Sequence, residues 1–416
     1  MRLPYKIYRI KYYAKSLFII KRQEKYIQFT IFPVFYFLLS INQWYTDNMK
    51  YSTSDLQLNL KWYGRTLDHD NVRYFDFSAS GFEFCFTGTC AKATILSDSK
   101  NWNAENKAVL GIYAKVINPE DYIQTSYWNF LEDEPIKKIT LEDYEQEYEL
   151  FSSEKIQTVV IKVIKLSEVN FGTAGLKSLE IEGTFVQAKS EENPSAKIEF
   201  IGDSITCGYG IEGVFEKDSF TTQQERADKA YAFLTAKKLK TAFNCVSWSG
   251  IGIISNYVDE TVNIPNNAVL MPMIWPYTDK SLSLRLGIEP EVWDSSKFSP
   301  DIIVINLGTN DSSFVRQVEE RRLAFVSGYR QLLEAVHRRS PNAKICCCLG
   351  VMGQLLCDSI EEAISLFSNE FKNTEIKFVK FPVQDDNDGI AADWHPSATT
   401  HQKMAVQLSE ELKNWI

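Results

Sequence analysis

The 416-residue sequence predicts an α/β fold, a doubly wound parallel five-stranded sheet preceded by an antiparallel β-sandwich of jelly-roll type. Three observations lead there: a length beyond one ordinary hydrophobic core, a run of short β-rich segments in the first half, and strands alternating with helices in the second. From Leu58 to Phe185, β-branched and aromatic residues recur in short runs at Tyr74 to Phe77, Phe82 to Phe86, Val109 to Val116, Tyr144 to Phe151 and Thr158 to Ile164. Turn residues such as Ser80-Gly81 and Asn118-Pro119 punctuate them, and no long helical period intervenes, which is the pattern of a sandwich. The polar stretch Ser190-Glu191-Glu192-Asn193-Pro194-Ser195 breaks the rhythm as a linker does. Beyond it, strands are expected at Ile198 to Ile201, Phe243 to Ser247, Ile302 to Asn306, Ile345 to Leu349 and Ile376 to Phe381. Helices are expected at Asp228 to Leu239, Leu323 to Arg339, Ile360 to Asn373 and Ala398 to Trp415. Such alternation implies a parallel sheet covered on both faces, with ligands beyond the carboxyl ends of the strands. The expected organisation is an extension over 1–48, a sandwich over 49–189, a linker over 190–196 and a second domain over 197–416.

Composition narrows the partners. Hydrophobic residues at 44% against charged residues at 24% describe a folded chain. A net charge of -9 argues against nucleic acid, whose phosphates need basic clusters, and favours a neutral substrate. The eight cysteines show no paired spacing and read as reduced, mostly buried thiols, with Cys346 to Cys348 as small residues of a core strand. Residues 1–48 hold eight basic residues against Glu24 and Asp47. Their apolar run from Ile27 to Ile41 is interrupted by Gln28 and Pro33 and falls short of the roughly 20 residues a membrane helix needs. No small-residue cleavage site follows. The expectation is therefore a start at Met49, no stable membrane association and a cytoplasmic protein, with secretion as the alternative should the segment act as an export signal.

Chemistry gathers at the strand ends. Directly after the first parallel strand stands Gly202-Asp203-Ser204, where a serine at a tight turn can present its hydroxyl outside the sheet and its N–H to a developing oxyanion. A phosphate loop and a GxSxG elbow are both missing from the sequence. After the second strand, Gly250 could bring a backbone N–H to a reacting carbonyl; after the third, Asn310 of Gly308-Thr309-Asn310-Asp311 could add a side-chain amide. Read alone, each is a turn serine, a loop or a helix cap. Three such loops on one edge of one sheet are a site. Near the carboxyl end, Asp393-Trp394-His395-Pro396 places a carboxylate two residues before an imidazole, and in extended chain the two would point the same way. Of the four histidines, His69, His337, His395 and His401, only His395 has a carboxylate so placed, and no spacing suits a metal.

These blocks resemble the SGNH hydrolase superfamily, although Asp393-Trp394-His395 has one residue fewer than the superfamily's common Asp-x-x-His. With the stretch Gly202 to Gly210 and a leading sandwich carrying Phe77-Ser78-Ala79-Ser80-Gly81, the chain is similar to carbohydrate esterase family 2 over roughly residues 55 to 416. The resemblance implies a serine esterase acting on acetylated xylan, mannan or their oligosaccharides without metal or cofactor. It implies Ser204 as nucleophile, His395 as base, Asp393 as the third member of a triad, and an oxyanion hole of Ser204, Gly250 and Asn310. Some members of that family orient the histidine by a backbone carbonyl instead; the presence of Asp393 favours the triad. Trp275, Tyr277 and Trp394 are candidate platforms for a sugar face, with core packing the alternative for each. A lipid or thioester hydrolase on the same frame, and a catalytically idle glycan-binding protein, are the competing readings.

Overall fold

The computed structural model describes residues 48–52, 60–125 and 134–416. Of the expected extension, residues 1–47 lie outside the described residues, while Asn48 already belongs to a strand.

The N-terminal domain is built from β1 (Asn48–Ser52), β2 (Lys61–Tyr63), β3 (Leu67–His69), β4 (Val72–Tyr74), β5 (Gly81–Leu96), β6 (Val109–Val116), β7 (Ile123–Thr125), β8 (Lys137–Thr140), β9 (Glu145–Lys165) and β10 (Gly175–Phe185). All but β7 join one antiparallel network in the order β3-β4-β10-β5-β9-β6-β8, with β1 on β10 and β2 on β5. The runs at Tyr144 to Phe151 and Thr158 to Ile164 are thus one strand, β9, which faces β5 along most of its length. Register shifts between Gly88 and Cys90 and between Ala91 and Lys92 bend this pair. They also change the parity of the inward set, from Phe82, Phe84 and Phe86 to Ala91, Ala93 and Ile95, so that both halves of β5 feed the same core. Gly81 begins β5 because a Cβ there would lie 1.9 Å from the Val163 carbonyl oxygen.

The stretch expected as a linker is partly ordered: β11 (Ser190–Glu192) pairs in parallel with β7. The parallel sheet then forms from β12 (Lys197–Gly202), β13 (Ala242–Ser247), β14 (Ile302–Asn306), β15 (Lys344–Leu349) and β16 (Ile376–Lys380), in the order β13-β12-β14-β15-β16. Its strands are apolar on both faces, and their residues divide by parity. Phe200, Val304, Cys346 and Cys348 enter one cluster; Ile201, Ile303, Ile305 and Cys347 enter the other. After each strand the chain turns into helix. The helices are α1 (Ser204–Cys207), α2 (Tyr231–Leu239), α3 (Met271–Ile274), α4 (Lys280–Leu286), α5 (Thr309–Val315), α6 (Glu319–Arg339), α7 (Cys357–Glu370) and α8 (Ala398–Leu412). Leu408 and Leu412 of α8 pack with α2 on the first cluster, and Phe325, Leu333 and Phe367 of α6 and α7 pack on the second.

The two domains share a core. Tyr63, Val109, Tyr113 and Ile164 of the antiparallel domain lie in the same buried cluster as Ile198 and Phe200 of β12. The side chain of Arg65 crosses the boundary fully buried: it pairs with Glu199 at 2.8 Å and donates to the main-chain oxygens of Trp275 and Tyr277. Among the described residues no helix is long and apolar enough to cross a membrane.

Candidate active site

β12 ends at Gly202, where a Cβ would sit 2.0 Å from the Thr206 hydroxyl, so the chain can fold into α1 within two residues only through glycine. Asp203 caps that helix, accepting the Ile205 N–H at 3.1 Å, and Ser204 opens it. Burial pushes the Asp203 carboxyl up to about 7. The N–H of Ser204 is among the first in the helix and has no partner four residues back, which leaves it free to face a ligand.

The Ser204 hydroxyl lies 2.8 Å from Nε2 of His395. On the other side of the ring, Nδ1 lies 3.2 Å from the Ala392 carbonyl oxygen and 3.1 Å from that of Asp393. Carbonyls only accept, so Nδ1 carries the proton and Nε2 is left as the acceptor for the serine hydroxyl. Burial lowers the imidazole to about 4, the first cause, against smaller upward contributions from the two carbonyls and the Asp393 charge. The ring is therefore a neutral base at ordinary pH.

The expectation that the Asp393 carboxylate holds this imidazole is corrected by the backbone. Asp393 has φ 49° and Trp394 φ 65°, so the chain here makes a left-handed turn instead of the extended path that would align residues 393 and 395. The carboxylate faces outward and accepts a hydrogen bond from the Tyr209 hydroxyl at 2.9 Å. What Asp393 gives His395 directly is its main-chain oxygen. Tyr209 packs on the imidazole with ring centroids 4.3 Å apart and stacks its own ring on Phe220 at 3.6 Å, nearly parallel. The sequence alone did not single out Tyr209; its place five residues past Ser204 was the available signal.

Gly250 stands in the loop after β13 with φ 76°, a left-handed conformation suited to glycine, and its carbonyl accepts from the Tyr257 N–H. The loop is fixed from below by Asp311, whose fully buried carboxylate accepts the N–H groups of Ile253, Ile254 and Ser255 at 2.8–3.1 Å. Its neighbour Asn310 is also buried. The Asn310 amide donates to the Ile251 carbonyl at 2.9 Å and makes a longer, 3.4 Å approach to Asp203. One of its two N–H groups is thus committed to the loop, and the other has the weaker partner. The loops after β12, β13 and β14 therefore bring Ser204, Gly250 and Asn310 to one sheet edge, and the segment before α8 brings His395.

The aromatic candidates separate. Trp275 is corrected to a core residue: 2% exposed, its indole N–H donates to Glu199 at 3.0 Å, so no sugar can stack on it. Tyr277 is likewise occupied: its main chain receives Arg65, it bridges Val292, and its ring lies beneath Lys280. Trp394, 42% exposed beside His395 and 5.8 Å from the Phe215 ring, remains open to a ligand. A cavity of about 220 Å³ beside Gly250 is lined by Trp248, Asn256 and Tyr257 among others, and Tyr257 is exposed.

A serine–imidazole pair over a doubly wound parallel sheet, with a glycine loop and an asparagine amide beside it, defines an SGNH hydrolase. The GDSL-like Lipase/Acylhydrolase family matches residues 200–403. Over 227 residues the chain is 40% identical to the cellulase/esterase CelE of Acetivibrio thermocellus, a match covering 52% of this chain and 25% of that protein. It is 27% identical over 284 residues to an acetylxylan esterase / glucomannan deacetylase of Cellvibrio japonicus, covering 68% of this chain and 74% of that one. A family two carbohydrate esterase from Clostridium thermocellum, solved in complex with cellohexaose, superposes with a TM-score of 0.70 at 30% identity, covering 86% of this chain and all of that one. The chain belongs to the family 2 carbohydrate esterases.

Proposed function

We propose that the protein is a serine esterase that removes O-acetyl groups from acetylated plant polysaccharides or oligosaccharides of the xylan or mannan type. The observation that supports this most is the 2.8 Å contact between the Ser204 hydroxyl and His395 Nε2, on an imidazole whose other nitrogen is held by two main-chain carbonyls.

Ser204 Oγ would attack the acetyl carbonyl carbon while its proton passes to His395 Nε2. The negative charge that develops on the carbonyl oxygen would meet the N–H groups of Ser204 and Gly250 and the less committed N–H of Asn310. Collapse breaks the bond to the sugar oxygen, which takes the proton from His395. Water then adds to the acetyl-enzyme with His395 again as base, releasing acetate and restoring the serine. The charged imidazole is stabilised at Nδ1 by the Ala392 and Asp393 carbonyls, so the pair works as a dyad with main-chain orientation. Trp394, exposed next to His395 in the chain, and Tyr257, exposed in the cavity beside Gly250, are the proposed sugar platforms.

Acetate release from a panel of acetylated xylo- and manno-oligosaccharides tests the reading. The wild-type chain should release acetate and Ser204→Ala should not. Cleavage of long acyl esters with acetylated sugars left intact would replace it by a lipid hydrolase. The free cysteines, nearly all buried, support action inside the cell on imported oligosaccharides; activity found mainly in the culture medium after fractionation would overturn that part.

A further inference from the structure

The site described so far comes from residues 197–416. One buried side chain of the antiparallel domain reaches beneath it. Glu168, in the segment between β9 and β10, is fully buried, and its Oε2 accepts the N–H of Ser249 at 2.6 Å. The same oxygen receives the Cys207 thiol at 3.7 Å. Ser249 immediately precedes Gly250, and Cys207 is the last residue of the helix that Ser204 opens. One carboxyl oxygen thus spans the two segments whose N–H groups face the reacting carbonyl.

Glu168 is itself held in place. Its N–H donates to Glu225 at 3.1 Å, and its carbonyl oxygen accepts from Lys165 Nζ at 2.7 Å, an ammonium that also binds the Asp76 carbonyl. Glu168, Cys207 and Glu225 bring their polar atoms within 4.8 Å of one another. The second oxygens of both glutamates have no hydrogen-bond partner. Burial raises both carboxyls. Without a task, two adjoining buried acids, beside a Lys165 ammonium that binds main-chain oxygens instead of either carboxyl, would be a costly arrangement, and apolar residues of similar size would serve packing better.

We propose that Glu168 is a positioning residue of the oxyanion hole: by holding the Ser249 N–H and the Cys207 thiol on one oxygen, it sets the separation of the Gly250 and Ser204 N–H donors. The proposal rests on the esterase reading above. It makes the antiparallel domain a contributor to transition-state stabilisation, since a donor displaced by a fraction of an ångström loses much of its effect on the oxyanion.

The test uses the full chain and p-nitrophenyl acetate, with kcat and KM measured separately for Glu168→Ala, Glu168→Asp and Glu168→Gln. Glutamine keeps a carbonyl oxygen at the same reach for the Ser249 N–H; aspartate keeps the acid but withdraws it by one methylene. Alanine and aspartate should lower kcat by about 10- to 100-fold with KM within about twofold, less than the 10²–10³ of losing a donor outright. Glutamine should stay within about threefold of wild type. A wild-type kcat in the aspartate variant, or a glutamine variant no better than aspartate, would overturn the proposal. Melting temperatures are recorded in parallel: a lower one with unchanged kcat would assign Glu168 to stability alone, and if the alanine variant fails to fold, the aspartate–glutamine comparison decides. An inactive wild-type chain would instead refute the esterase reading, and that is visible before any variant is compared.

Discussion

At the scale of single residues, Ser204 and His395 have no neighbour able to take their place. Ser204→Ala and His395→Ala should each reduce acetate release by about 10³-fold or more with an unchanged circular-dichroism spectrum; retention of a tenth of the activity would mean that another group performs the attack. Asp393 should behave differently. Asparagine tolerates the left-handed conformation, can still receive the Tyr209 hydroxyl, and leaves both carbonyls on the imidazole, so Asp393→Asn should keep activity within a few-fold. Were its carboxylate the orienting acid, the loss would approach about 10⁴. The pH profile follows from the imidazole. Because burial holds His395 near 4, below its ordinary value, the protonated and inactive form accumulates only as pH falls through that range. The acid limb of kcat/KM should lie close to pH 4 to 5, and a limb near the ordinary 6.5 would contradict a buried base.

Elements show what was legible in the sequence and what was not. The five parallel strands and the four long helices were readable within a few residues, because a strand buried on both faces is an uninterrupted apolar run and each helix carries a 3.6-residue stripe. The loops at the strand ends were readable for the same reason: once the strands are fixed, Ser204, Gly250 and Asn310 must share an edge. The left-handed pair Asp393 and Trp394 was not, since a non-glycine residue at positive φ is imposed by surrounding structure and leaves no periodic trace. Nor was the burial of Trp275, because an aromatic residue looks the same in a core as in a cleft until its partner Glu199 is placed. Asp311 falls between these cases. The sequence marks it only as the neighbour of Asn310, whereas the fold makes it the anchor of three loop N–H groups. Asp311→Ala would orphan those donors, at roughly 1–3 kcal/mol for each buried group left unpaired. Urea unfolding should report a loss of several kcal/mol together with a fall in kcat; an unchanged midpoint would show that water replaces the carboxylate.

For the molecule as a whole, the boundary near residue 48 and the seam near residue 196 make opposite predictions. β1 begins at Asn48 and covers the edge of β10, so a chain starting at Met49 retains almost the whole strand and should stay soluble and active. One starting at Leu60 would uncover that edge and should aggregate, as light scattering would reveal. Residues 197–416 alone should not fold: separated from the first domain, Glu199 would lose its buried Arg65 partner, a change worth about 3–5 kcal/mol in comparable pairs, and the shared core would be cut open. A stable, cooperative unfolding transition in that fragment would refute this.

The buried Arg65–Glu199 contact also bears on how such a protein can be recombined. A module joined by a flexible tether can be exchanged for another by cutting the tether, and Ser190 to Ser195 looks like a place to cut. Here the cut would separate the partners of an ion pair, a common apolar cluster and the hydrogen bond from Ser249 to Glu168 beneath the Gly250 loop. The smallest portable unit is therefore both domains together, and a chimera that keeps the hydrolase half while replacing its β-rich partner would have to re-create Arg65 and Glu168 in the incoming scaffold before it could be expected to turn over.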